Sequence, residues 1–171
     1  MKQILALLLA VLAAPAFADS EATFTLPSGV AVTITEASFE NGSFKVSGCT
    51  DTSPGCMING HVPMGLAFGM PKTYVKQISI SYLAQTYLLD ASDMYDAWGK
   101  RPLERKGFVR YFGGKCFDRK NCRFRGIFSD GEGSFVAEWI IVDGVTVRTV
   151  LSGSDDIVSL FIKHIDPPDA N

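Results

Sequence analysis

The sequence predicts an α+β domain: a mostly antiparallel β-sheet meander, with a short middle helix and a C-terminal helix packed on the sheet. Three observations carry this. Apolar residues recur at strand period in several short runs, as in Ile78, Ile80 and Tyr82 between Ser79 and Ser81. Asn41-Gly42 and Asp143-Gly144 punctuate such runs, and both dipeptides tolerate the positive φ of tight hairpin turns. From Ser154 onward the apolar spacing becomes helical. A small closed β-barrel is the alternative, should the last segment be another strand.

The first element is a leader. Lys2 precedes the apolar run of residues 4–13, which is shorter than the roughly twenty residues a membrane span needs. Ala16-Phe17-Ala18 follows with the small-x-small pattern of a signal-peptidase site, so residues 1–18 read as a cleaved signal peptide, cut at about Ala18/Asp19. Residues 19–166 then form a single globular domain and residues 167–171 a flexible tail. Export to a periplasm, or secretion, is the expected localisation, with no membrane anchor.

Within the domain, Val32 and Ile34 lead through Phe39 to Asn41-Gly42, and a two-residue turn there places Phe39 opposite Phe44. Residues 55–71, rich in Gly, Pro and Met, read as a long loop. The strand at 78–82 pairs with a second at 86–89. Ser92 then caps the short middle helix, residues 93–98. Strands follow at 108–112 and 123–128. Residues 134–142 and 145–151 join through Asp143-Gly144, with Trp139 facing Arg148 and available to stack on it. Val136, Ile140, Val142, Val145, Val147 and Leu151 share one face, which is expected to be the core face. Ser154 caps the last helix, which runs to about Ile165.

Four cysteines, Cys49, Cys56, Cys116 and Cys122, follow the leader, and an even count in an oxidising compartment implies two disulfides. Local spacing favours Cys49–Cys56 and Cys116–Cys122, each bracketing a turn-rich loop. A zinc site or redox dithiol would call for a Cys-x-x-Cys pair, which is missing.

Charge is segregated. The formal net charge is −2, yet ten of the sixteen Lys and Arg lie between Lys100 and Arg125, against only Glu104 and Asp118. Arg110, Lys115, Arg119, Lys120, Arg123 and Arg125 are the candidate partner-binding residues. Arg123 and Arg125 share a strand face, and the Cys116–Cys122 loop holds Lys115, Arg119 and Lys120 nearby. Arginine suits bidentate capture of carboxylate, so an acidic protein is the expected partner. An acidic total, an exported chain and the lack of a recognised motif argue against nucleic acid.

Enzymatic readings find less support. Only His61 and His164 could serve as imidazole bases, and no G-x-S-x-G elbow is present. Asp93 and Asp96 could share a helix face, and Tyr82, Tyr87, Tyr95, Trp98 and Tyr111 could stack on sugars, but no cleft is implied. The acidic turn at residues 129–134 lacks EF-hand spacing. Met57, Met64 and Met70 around His61 offer soft ligands for copper at unspecific spacings and fit a gap-filling or contact role as well. The expectation is therefore a non-enzymatic exported binding protein of inhibitor or immunity type, with no cofactor or metal and no catalytic residue. It would hold an acidic partner through its basic disulfide-pinned loop, with residues 55–71 as a second contact region. The alternative is an envelope glycan- or lipid-binding protein, or a small cell-wall-acting enzyme.

Overall fold

A computed structural model describes residues 19–52, 55–97, 108–129 and 133–168. The leader, Trp98, the cations Lys100, Arg101, Arg105 and Lys106 with Glu104, the centre of the acidic turn (Asp130 to Glu132) and residues 169–171 lie outside the described residues.

Two antiparallel four-stranded sheets face each other across one core. The first orders its strands β1 (Ser20–Thr25), β2 (Ala31–Ser38), β5 (Thr73–Tyr82) and β6 (Gln85–Leu89). An excursion between β2 and β5 carries the small hairpin of β3 (Val46–Ser47) and β4 (Met57–Ile58). The second sheet is an uninterrupted meander of β7 (Phe112–Cys116), β8 (Cys122–Phe128), β9 (Phe135–Val142) and β10 (Val145–Ser152). Among the described residues the backbone ladders do not join the two sheets, so the barrel alternative is set aside. Between the sheets lie Val32, Ile34, Ile78 and Ile80 from the first and Phe124, Phe128, Trp139 and Ile141 from the second, all essentially solvent-free. Aromatic side chains dominate this core. Phe124 stacks on Trp139 at 5.6 Å between centroids, and the indole N–H donates to the carbonyl of Asp90 at 2.8 Å, so its polar edge is satisfied.

Helix α1 (Asp155–Lys163) covers the outer face of the second sheet at one end, burying Phe161 against Ile127 and Val136. Asp155 and Asp156 stand in its first turn, where negative charge suits the dipole. It stops two residues short of Ile165, and the Ser154 hydroxyl makes no capping bond. Beyond it the chain closes down on β7. A Cβ at Gly113 would lie 2.2 Å from the carbonyl oxygen of Ile165, so glycine permits that approach, and Pro167 is buried.

Four expectations are corrected. The middle helix does not form over residues 93–97, the part of it among the described residues. Asp93 and Asp96 take φ of +63° and +40°, and Met94 and Tyr95 form bridges to Met64 and Tyr74 instead. The Asp96 carboxylate accepts from the backbone N–H groups of Lys72 and Thr73 at 2.8 and 2.9 Å, a side-chain bond that competes with helix formation. Asn41-Gly42 does turn the chain, but within a 3₁₀ turn (Asn41–Ser43) rather than a hairpin, because β2 pairs with β1 and β5. Phe39 and Phe44 nevertheless stack at 4.5 Å. Residues 108–111 form a 3₁₀ turn, and the strand begins at Phe112.

The last correction concerns the β9–β10 hairpin, whose turn is as expected, Asp143 and Gly144 both having positive φ, and whose register is as expected as far as Arg148, beyond which a bulge shifts it and pairs Leu151 with Ala137. Its core face is the other one. Ala137, Trp139 and Ile141 point inward, while Val142, Val145 and Val147 are 52%, 64% and 49% exposed. Arg148 lies opposite Trp139, but its guanidinium is engaged elsewhere, donating to the Ser92 carbonyl and pairing with Asp90 at 3.3 Å.

Candidate functional site

The outer face of the second sheet is read in rows across the strands. Lys115 on β7 pairs with Arg123 on β8, Arg123 with Ile140 on β9, and Ile140 with Val147 on β10. Directly opposed residues share a face, so this row is cationic at the β7 side and apolar at the β10 side. The next row toward α1 is Gly113, Arg125 and Glu138. The row on the far side, beyond the Lys115 row, ends on Val142 and Val145. Phe124 points inward, as strand alternation requires of the residue between two outward arginines.

The six candidate cations fall into three situations. Arg125 is fully engaged: its guanidinium forms an ion pair with Glu138, donates to the His164 carbonyl at 3.0 Å and lies over the Phe161 ring at 5.0 Å. It clamps α1 to the sheet. Arg110 stands at the opposite end of β7 from the disulfide loop, bonded to the Tyr111 hydroxyl at 2.9 Å. Lys115, Arg119, Lys120 and Arg123 are the four that come together, around the Cys116–Cys122 bridge. Among the described residues no carboxylate pairs with Arg119, Lys120 or Arg123.

The loop that carries two of them is held from several sides. Both disulfides join the expected local pairs, Cys49–Cys56 and Cys116–Cys122. Inside the second, the Asp118 carboxylate accepts from the N–H groups of Lys120 and Asn121 at 2.6 and 2.9 Å and from the Asn121 amide. The Asn121 amide first, then the Lys120 N–H, hold its carboxyl below the usual aspartate range. Outside the loop, Gly144 N–H donates to the Lys120 carbonyl at 2.9 Å, Asp143 N–H to Asn121 Oδ1 at 3.1 Å, and the Tyr87 hydroxyl to the Arg119 carbonyl. Backbone and acid are thus occupied, and the exposed side chains of Arg119 and Lys120 project from a fixed support. Such a loop loses little conformational entropy on binding.

Beside the cations lies an apolar strip that the sequence reading placed in the core. A shallow groove of about 340 Å³ opens where the loop meets β9, lined by Phe117, Arg123, Ile140 and Val142 among others. Val145 and Val147 extend it along β10, and Phe117 is 39% exposed. One signal for this was present: Glu138 shares a face with Val136, Ile140 and Val142. A charged residue on one face of an otherwise apolar strand marks that face as the outer one.

No family model, curated protein or solved structure matches this chain. The remaining candidates stand apart from the basic loop. His61 bonds Asp93 at 3.0 Å through Nδ1, and Asp93 lies 4.0 Å from Arg148. Among the described residues no group of three or more His, Cys, Asp and Glu side chains could hold a metal ion. No described helix is long and apolar enough to cross a membrane. Residues 55–71 expose Val62 and Phe68, whereas Tyr87 and Tyr95 are buried and Tyr82 and Tyr111 pack partly against the core clusters.

Proposed function

We propose that the chain is an exported, non-enzymatic binding protein of inhibitor or immunity type, which holds an acidic protein partner through Lys115, Arg119, Lys120 and Arg123. The observation that carries this reading is the braced basic loop. Its one carboxylate, Asp118, is bonded within its own loop and offsets Lys120 in part, and among the described residues no acid pairs with Arg119 or Arg123. Unneutralised, fixed cations steer an anionic partner and restrict which partners dock. Export is supported by the leader pattern of residues 1–18 and by the two disulfides.

The test is a pull-down from envelope extract with the oxidised protein, at low and high salt, beside Arg123→Glu. The reading expects near-stoichiometric capture of an acidic protein, weakened by salt and lost in the variant. Capture that is indifferent to both overturns it.

A further inference from the structure

We infer that the exposed strip of Val142, Val145 and Val147 is the anchoring half of the same partner site. The partner would then be an acidic polypeptide segment that carries a large apolar side chain beside its carboxylates. This rests on the reading of the basic loop as the electrostatic half, and adds to it the residues that supply affinity and the chemistry they select.

At one end α1 covers the outer face of the second sheet, with Phe161 seated on Ile127 and Val136 and Arg125 closing the edge. Past the Arg125–Glu138 row the same face continues apolar, but nothing in the described chain lies over Val142, Val145 or Val147. Three exposed valines on neighbouring positions of a hairpin, with Phe117 across the groove, make a contiguous patch rather than scattered residues.

Charge at the border then restricts what covers it. Arg123 is at once a wall of the groove and the cross-strand partner of both Ile140 and Lys115. Arg119 and Lys120 belong to the loop whose Phe117 and Asp118 form another wall. A side chain entering the groove therefore meets aliphatic surface, a phenyl ring and a guanidinium, a combination that favours an aromatic ring. Its chain neighbours fall beside cations, so they are best carboxylates. At about 340 Å³ the groove is near the lower limit of small-molecule sites, which suits one buried anchor better than a whole ligand.

Short synthetic peptides provide the test: one acidic with a central tryptophan, one acidic with alanine in its place, and one basic with the tryptophan. Each is titrated into the oxidised protein while the valine methyl resonances are followed. The acidic tryptophan peptide is expected to bind about ten-fold tighter than its alanine counterpart. It should shift the methyls of Val142, Val145 and Val147, and Val145→Ser/Val147→Ser should erase the gain without lowering the melting temperature. Equal binding of the two acidic peptides, or undiminished affinity in the serine variant, overturns the anchor and leaves the electrostatic reading standing. Failure of both acidic peptides, or preference for the basic one, overturns the electrostatic reading as well. Vesicles containing phosphatidylglycerol form a last arm: if they shift the same methyls while every peptide is silent, the occupant is a lipid surface and the inference falls.

Discussion

Arg123 and Arg125 are separated by one residue and leave the sheet on the same side, yet their environments assign them different work. Arg125 and Glu138 side chains are only 16% and 13% exposed, so breaking the pair strands a charge under α1. Arg125→Ala should cost about 3 kcal/mol in urea unfolding, at the low end for a buried pair because the site is not fully dry. Arg123→Glu, with no carboxylate to lose, should stay within about 0.5 kcal/mol of the parent in the same assay. Asp118 is the other residue with a stated consequence. Its folded-state pKa is depressed, by the Asn121 amide first, so the ionised carboxylate is the form the loop prefers. That contribution is present above the ordinary aspartate value of about 3.9 and is lost as pH falls through the lower folded-state value. The amide resonances of Lys120 and Asn121 should accordingly titrate together, with a midpoint below that value. A midpoint at or above it would show that the carboxylate does not brace the loop.

At the scale of elements, the turns of the β9–β10 and β5–β6 hairpins contrast. Asp143-Gly144 declares itself, and Gly144 sits at φ +83° where a side chain is strained even though a Cβ would have room. Gly144→Ala should destabilise by about 1 kcal/mol. The β5–β6 turn has the same conformation with the wrong residues for it: Leu83 and Ala84 have φ of +48° and +62°. Leu83→Asn with Ala84→Gly should therefore raise stability by about 1 kcal/mol in thermal or urea unfolding. The same contrast explains what could be read from the chain. The β9–β10 turn, both disulfides and the last helix rest on local chemistry and were legible. The middle helix was not, because the Asp96 carboxylate satisfies the N–H groups of Lys72 and Thr73 and the Asp93 carbonyl that of Met64, segments more than twenty residues away, which no local window reveals. The choice of core face on β9 was legible in principle from Glu138. It was missed because both faces of that strand are apolar, one buried between the sheets and the other covered by α1 only at one end.

For the whole molecule, the arrangement has a simple logic. The aromatic core between the sheets holds the fold, α1 and Arg125 finish one half of an outer face, and the other half is left as cations beside valines on a braced loop and hairpin. Among the described residues the basic segment is thus not one patch. Arg110 stands at the far end of β7, Arg125 is consumed by the structure, and four cations remain together. The measurement that tests this most directly is capture of an acidic protein from envelope extract by two charge-reversed proteins side by side, Lys120→Glu/Arg123→Glu and Arg110→Glu. The first should lose the captured protein and the second keep it, with both variants folded. Equal retention by both, or equal loss, would contradict the assignment of binding to the disulfide-pinned face.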